Sequence, residues 1–275
     1  MTQIPQPDPY ALEPRDLEAE GRTRDWRRML GPLAFLAVLG AKLKWLLLAA
    51  TKIKFVGVGL SALVSIGAYT LLWGWQFAVG FVVLLFVHEM GHVLQLRREG
   101  IPASAPLFIP FLGAVVGMKR MPDDAAAEAR VGLAGPVLGS IGVLVPLALW
   151  GLTGNHLFQA LAFVGFFLNL FNLAPVLPLD GGRAMAALSP WVWVLGLAAL
   201  AVLMVVWFSP ILILVLLLGG TEVYGRLKAW RAKDPAALRF HAVTPRDRAL
   251  ILAVYLILVV GLSVGAYATY LPRTI

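Results

Sequence analysis

Long apolar stretches separated by short polar ones follow residue 54, and their length predicts helices that cross a membrane. The clearest stretches cover about residues 55–74, 76–96, 131–152, 157–178 and 249–271. A helix needs roughly 18–20 apolar residues to cross a bilayer. The pattern therefore predicts an all-α polytopic membrane protein with about six to seven transmembrane helices.

The apolar run at 191–220 is too long for a single span and contains Ser209 and Pro210 near its middle. The loop at 225–248 carries seven Lys or Arg residues and the loop at 97–130 carries five, whereas the two short turns on the opposite side carry none. Basic residues concentrate in cytoplasmic loops. Both basic loops lie on the cytoplasmic side only if 191–220 crosses twice, so we predict a helical hairpin there.

The chain divides into five segments on this pattern. We predict a disordered cytoplasmic tail at 1–28, which is polar and rich in proline. An interfacial or re-entrant segment follows at 29–54, because its apolar part is short and interrupted by lysines. The membrane core covers 55–225, a basic cytoplasmic loop covers 226–248, and an extra C-terminal transmembrane helix covers 249–275.

The composition agrees with a membrane protein. Of the 275 residues, 60% are hydrophobic and 14% are charged, whereas soluble proteins are about half apolar. The net charge of +8 is explained by the basic loops, so we expect the lipid bilayer and not nucleic acid as a partner. There is no cysteine, which excludes disulfides and thiolate metal sites. We expect no cleavable signal peptide.

Two histidines and a glutamate interrupt the second predicted span in the sequence FVHEMGH, residues 86–92. On a helix, His88 and His92 lie one turn apart on the same face and can bind one metal ion. Glu89 could reach a water on that ion without binding the ion itself. Ionisable groups inside spans are rare and usually functional. We therefore predict one zinc ion per chain and prefer it to two histidines that only satisfy polar neighbours.

A catalytic zinc ion usually has three protein ligands and one open position. Asp180 lies in FNLAPVLPLDGGR, residues 171–183, where an apolar span ends in prolines and glycines that break the helix. A carboxylate at that depth needs a cation, which zinc would supply. Glu222, near the end of a later span, stays open as an alternative third ligand. His156 and His241 are more typical of solvated loop histidines.

Small residues recur on one face of the predicted span at 131–152, at steps of three, four and three. They are Gly132, Gly135, Gly139 and Gly142. Such a stripe permits close approach of another membrane helix. In the next span, Asn169 and Asn172 share one face, and either could join helices through a hydrogen bond.

The sequence APLFIPFLGAVVGM, residues 105–118, is apolar but too short and too broken to span a membrane. Irregular backbone cannot face lipid and must be buried in protein or line a cavity. We predict a re-entrant extended loop or β-hairpin near the zinc site, whose edge could hold an unwound substrate segment by β-augmentation. The alternative is a loop that only plugs the bundle.

Three motifs together resemble the site-2 protease family of intramembrane zinc metalloproteases. HEMGH (88–92) looks like the family's H-E-x-x-H, AGPVLG (134–139) is similar to its A-G-P element, and NLAPVLPLDGG (172–182) resembles its N-x-x-P-x-x-P-L-D-G-G signature. The resemblance covers roughly residues 55–225. No stretch could form a PDZ domain or paired CBS domains, which puts regulation through such modules in doubt.

The resemblance implies a role for each matched residue. His88, His92 and Asp180 match the three zinc ligands, Glu89 matches the catalytic base, and Asn172 matches an asparagine thought to hold substrate or stabilise the oxyanion. It also implies a zinc endopeptidase whose substrates are membrane proteins with a transmembrane helix. A non-catalytic zinc-binding scaffold is the competing class, and the intact Glu89 argues against it.

These implications also bear on location. We expect a multi-pass protein of a bacterial cytoplasmic membrane, with its active site toward the cytoplasmic side.

Overall fold

The computed structural model describes residues 54–206 and 209–271, and this part of the chain is mostly helical. The predicted tail at 1–28 and nearly all of the predicted segment at 29–54 lie outside the described residues. The helices are α1 (Lys54–Trp73), α2 (Trp75–Arg98), α3 (Ala125–Thr153), α4 (His156–Asn172), α5 (Asp180–Met185), α6 (Pro190–Val206), α7 (Pro210–Arg231), α8 (Pro235–Phe240) and α9 (Pro245–Thr269).

Three of the described helices, α2, α3 and α9, are long and apolar enough to cross a membrane. The apolar part of α1 (Gly57–Trp73) and the whole of α4 and α6 are shorter, at 17 residues each. The helical membrane architecture predicted from the sequence is therefore confirmed. The predicted number of six to seven spans is not.

Helices α6 and α7 run antiparallel. The guanidinium of Arg231, at the end of α7, lies 5.5 Å from the ring centroid of Trp191, at the start of α6. Leu200 of α6 and Leu212 of α7 pack in one cluster near the other end of the pair. The two helices thus have the arrangement that a hairpin around Ser209 requires. The side of the membrane on which their ends lie stays a prediction.

The glycine stripe of α3 packs against three other helices. A methyl group added at any of these positions would overlap its neighbour, so the close approach depends on glycine. The contacts join Gly142 to Val87 of α2, Gly139 to Asn169 of α4, Gly135 to His92 of α2, and Gly132 to the backbone of Asp180 in α5. Helix α3 therefore holds together the elements that carry the predicted metal ligands.

A short antiparallel sheet lies between α2 and α3 in the chain. It consists of β1 (Leu107–Ile109) and β2 (Gly113–Val115), with Phe108 opposite Ala114. Phe108 is buried with Tyr69 of α1 and with Val82 and Leu85 of α2. The structure thus contains the hairpin that the broken apolar sequence predicted, packed on the helix that carries the two histidines.

Candidate metal centre

Side chains from two helices converge on one buried point. His88 and His92 come from α2, and Asp180 is the first residue of α5. Asp180 Oδ2 lies 3.0 Å from His88 Nε2 and 3.2 Å from His92 Nε2. The two Nε2 atoms lie 3.2 Å from each other. These three residues, which we call the metal group, occupy the positions that the sequence motifs single out.

The other ring nitrogens determine where the imidazole protons lie. His92 Nδ1 is 2.8 Å from the carbonyl oxygen of Val131, which only accepts hydrogen bonds, so Nδ1 carries the proton. His88 Nδ1 is 2.9 Å from Asn169 Oδ1. The Asn169 amide nitrogen donates to the Gly165 carbonyl at 2.8 Å, which orients Oδ1 as the acceptor. In both neutral rings, Nε2 is left with a free lone pair.

Two nitrogen lone pairs and a carboxylate oxygen therefore point at each other at close range. A proton on one ring would relieve only part of this repulsion and would leave a buried imidazolium. A single divalent cation relieves all of it, because each of the three atoms can bind it. Among the described residues, no Lys or Arg hydrogen-bonds to Asp180. The donor set of two imidazoles and one carboxylate fits zinc.

The backbone around Asp180 is packed too tightly for side chains. A methyl group at Gly181 would overlap the carbonyl of Leu173, and one at Gly182 would overlap the backbone of Val176. Pro175 and Pro178 prevent a regular helix in between, so the chain folds back on itself before α5 begins. The fold-back lets α5 start with Asp180 directed at α2.

Two hydrogen bonds from distant helices hold this fold-back in place. Trp193 of α6 donates its indole N–H to the Gly182 carbonyl at 2.7 Å, and its ring is fully buried. Tyr255 of α9 donates its hydroxyl to the Leu173 carbonyl at 2.7 Å. The position of Asp180 thus depends on α6 and α9 as well as on the local sequence.

Glu89 lies beside the metal group without joining it. Its side chain is buried, and the titratable groups around its carboxylate are those of His92, His88, Asp180 and Arg183. Among the described residues, no hydrogen-bond partner holds the carboxylate. A buried carboxylate next to a metal group, with its oxygens uncommitted, is available to accept a proton.

The two asparagines of α4 differ in what they contact. Asn169 is buried and bonds to His88, whereas the Asn172 amide donates to the Leu168 carbonyl of its own helix at 3.1 Å. The role of Asn172 in catalysis stays a prediction. The sequence predicts only a helix-packing role for Asn169, although an asparagine in the middle of an apolar span is a signal for a buried polar partner, which the structure shows to be His88.

Glu222, the alternative third ligand, lies elsewhere. Its Oε1 accepts a hydrogen bond from Arg226 at 2.8 Å, and Arg226 also pairs with both oxygens of Glu128, at 2.6 and 2.7 Å. Glu222 is not part of the metal group, so this alternative is wrong. The expectation for His241 is also wrong in part, because it is half-buried with Nδ1 3.1 Å from the Ala186 carbonyl.

Comparison with known proteins supports the same chemistry. The model of Peptidase family M50 matches residues 76–154, which include the histidine pair but not Asp180. A protein of Methanocaldococcus jannaschii named as a zinc metalloprotease is 31% identical over 129 residues, which are 45% of this chain and 37% of the relative. The putative zinc metalloprotease Rip3 of Mycobacterium tuberculosis is 29% identical over 136 residues, covering 45% of this chain and 34% of the relative.

A further relative is a putative zinc metalloprotease of Synechocystis, 30% identical over 127 residues that cover 42% of this chain and 32% of the relative. The chain thus spans about a third of the length of the curated relatives it matches. The family match and the apolar helices indicate an integral membrane protein, and zinc is the cofactor that the relatives' names and the metal group indicate. The resemblance of this chain to the site-2 protease family, the zinc metalloproteases of peptidase family M50, is therefore confirmed.

Proposed function

We propose that the protein is an intramembrane zinc metalloprotease that cleaves peptide bonds within or near transmembrane segments of membrane proteins. The observation that carries this proposal is the convergence of His88, His92 and Asp180, with the uncommitted carboxylate of Glu89 beside them. His88, Glu89 and His92 lie on α2, a helix that is long and apolar enough to cross a membrane. A scissile bond in the bilayer explains why such polar residues lie there.

The proposed reaction is the addition of water across a peptide bond. When bound to His88, His92 and Asp180, zinc acidifies water and polarises the peptide carbonyl. A carboxylate oxygen of Glu89 accepts a proton from the attacking water as the water's oxygen bonds to the carbonyl carbon. The C–N bond then breaks, and Glu89 returns the proton to the leaving amine nitrogen. Asn172 is proposed to hold substrate or stabilise the oxyanion.

We further propose that the substrate's unwound segment adds as a strand to the outer edge of β2. The Phe108 amide donates to Ser61 Oγ of α1 at 3.3 Å, so the outer edge of β1 is already used. In an antiparallel pair, the backbone N–H and C=O groups of two directly opposite residues either both face the partner strand or both face away from it. Ala114 lies opposite Phe108, whose N–H faces away from β2. The N–H and C=O of Ala114 therefore point away from β1, where they can pair with another strand.

The course of this hairpin supports the same proposal. Phe108 and Ala114 pack at the level of Leu85 on α2, and Met118 packs in the cluster around Leu96 on the same helix. The segment at 113–118 therefore follows α2 past the turn that carries Glu89 and His92. A peptide strand paired with β2 would run beside that turn.

We also propose that the protein lies in a bacterial cytoplasmic membrane with its active site toward the cytoplasmic side. The charge pattern of the loops favours this orientation. Arg97 and Arg98 end α2 and lie five and six positions after His92. At 1.5 Å per residue, the metal group lies roughly 8–9 Å from that basic end. Water from the cytoplasmic side would have a short path to it.

Replacement of Glu89 by Gln tests the protease proposal. In liposomes that contain a membrane protein with a single transmembrane helix, wild type should cleave the substrate near or within that helix. Glu89→Gln keeps the side chain's shape but removes its basicity, and loss of one general base lowers the rate about 10²–10⁴-fold. Zinc measured by elemental analysis should stay near wild type. Cleavage by Glu89→Gln at a near wild-type rate would falsify the mechanism.

The competing scaffold function predicts a different result. Wild type would bind zinc but cleave none of a panel of transmembrane substrates, and Glu89→Gln would change nothing.

The strand proposal has its own test, because Ala114→Pro removes the N–H that points away from β1 and leaves the hydrogen bonds between β1 and β2 intact. Ala114→Pro should raise KM for a membrane substrate, whereas the matched control Ala114→Ser keeps the N–H and should not.

A further inference from the structure

A groove lies between the three helices that are long enough to span a membrane. Its walls come from α2, α3 and α9, and its volume is 370 Å³. This volume falls within the roughly 300–1,000 Å³ typical of pockets that hold small ligands. The groove is separate from the metal group, although its floor includes Gly91, the residue before His92.

Most of the groove is apolar and exposed. Leu94 of α2, Val137 of α3, and Leu250 and Val254 of α9 line it, and each has between 37% and 54% of its surface accessible. An apolar groove between membrane helices does not hold water, because its lining offers no hydrogen-bond partners. The molecule that can fill such a gap within a bilayer is the acyl chain of a lipid.

One end of the groove is polar and carries an excess of positive charge. Arg98 and Arg130 line this end together with Gln95 and Asp247. Arg130 forms two hydrogen bonds with Glu99, at 2.7 and 3.1 Å, and these bonds hold the pKa of Glu99 below its usual value. The Arg130 charge is therefore matched. Arg98 is exposed and hydrogen-bonds to none of the described residues.

The surroundings of Arg98 extend this positive end. Arg97 precedes it on α2, and Arg246 and Arg248 flank Asp247 at the start of α9. All three arginines are exposed. The groove thus joins an apolar channel to a basic mouth at the helix ends, which is the arrangement that attracts the headgroup of an anionic lipid.

We propose that this groove is a binding site for one anionic phospholipid, with an acyl chain between α2, α3 and α9 and the phosphate at the Arg98 guanidinium. The site goes beyond the proposed protease activity and does not depend on it. Its ligand class follows from the two chemistries of the groove, an apolar channel for the chain and, for the phosphate, a guanidinium that no other described residue hydrogen-bonds.

Lipid retention measures this site directly. The full chain is placed in nanodiscs of equal parts phosphatidylglycerol and phosphatidylcholine and then released from them. Native mass spectrometry measures which lipid, and how many molecules of it, stay bound to each chain. Wild type should keep one phosphatidylglycerol per chain in preference to phosphatidylcholine. Arg98→Gln should weaken that retention about fivefold, the effect of one basic side chain on binding to an anionic lipid. Leu250→Trp, which fills the groove, should abolish it.

Two control variants match these substitutions in chemistry but lie outside the groove. Arg239→Gln removes an exposed arginine of the basic loop, and Val264→Trp adds the same bulk on an exposed part of α9. Both should retain phosphatidylglycerol like wild type, and zinc content in every variant reports folding. Equal retention of both lipids by wild type, or unchanged retention in Arg98→Gln and Leu250→Trp, would overturn the proposal.

Discussion

Two buried polar clusters in the helical core use carboxylates in opposite ways. In the metal group, Asp180 contacts only two imidazole nitrogens among the described residues. In the second cluster, which we call the ion-pair cluster, Glu128 and Glu222 both accept hydrogen bonds from Arg226. Glu128 is as buried as His88, with 2% of each residue exposed.

The difference lies in the source of the positive charge. The guanidinium of Arg226 supplies donors to both oxygens of Glu128, so the ion-pair cluster is satisfied within the chain. The metal group has acceptors and lone pairs, and no Lys or Arg among the described residues bonds to it, so it is satisfied only when a cation binds. A carboxylate held by arginine therefore indicates a structural role, and one held by free imidazole nitrogens indicates a metal site.

The clusters are also physically connected. The Arg226 guanidinium lies 5.3 Å from the centroid of the Trp193 ring, and Trp193 hydrogen-bonds to Gly182, two residues after Asp180. The ion-pair cluster thus supports the backbone that presents the metal ligand. Substitutions in each cluster can therefore separate the direct role of the metal group from the supporting role of the ion-pair cluster.

The largest effect is expected for Asp180→Ala. A three-ligand zinc site that loses a ligand should lose affinity well beyond the roughly 10–100-fold that removal of an outer hydrogen-bond partner causes. Zinc titration with a competing chelator measures this loss. Glu222→Ala serves as the control and should bind zinc like wild type. Zinc loss in Glu222→Ala with full retention in Asp180→Ala would reverse the assignment of the two clusters.

Arg226→Leu should destabilise the protein by about 3–5 kcal/mol, because it leaves the Glu128 carboxylate buried and unpaired. Thermal unfolding in detergent, followed by circular dichroism, measures the change. The double variant Glu128→Leu with Arg226→Leu removes both charges and should recover much of the loss. A double variant as unstable as Arg226→Leu would show that the instability comes from loss of the ion pair itself and not from the unpaired Glu128 carboxylate.

Asn169→Leu should weaken zinc binding about 10–100-fold, because it removes the acceptor that fixes the His88 ring and its tautomer. Asn172→Leu lies one helical turn away and is the matched comparison. It should leave zinc affinity near wild type and lower only the rate of cleavage. The cobalt-substituted protein offers a second readout, since its visible spectrum should shift in the Asn169 variant alone.

The smallest effect is expected for Tyr255→Phe. The variant removes a single hydrogen bond to the Leu173 carbonyl, which contributes about 1 kcal/mol to stability. It should lower the unfolding temperature slightly and weaken zinc binding by less than Asn169→Leu does. Zinc affinity below that of Asn169→Leu would mean that α9 has a larger part in positioning Asp180 than one hydrogen bond provides.

Local spacing alone indicated much of the site. The i, i+4 step of His88 and His92 places both rings on one helix face whatever the rest of the fold does. The glycine steps of α3 likewise define a face, and the broken apolar stretch at 105–118 was recognisable as a non-spanning hairpin. These features depend only on the geometry of a single helix or turn, and that geometry can be deduced from periodicity.

Contacts between distant elements needed the tertiary structure. Asp180 lies 92 residues after His88, and spacing could not decide between Asp180 and Glu222, because both lie near the end of a predicted span. It also could not show that Asn169 reaches His88, that α1 uses the outer edge of β1, or that a groove opens between α2, α3 and α9. These outcomes depend on how closely helix backbones approach and at what angle, which is determined by packing across the whole bundle.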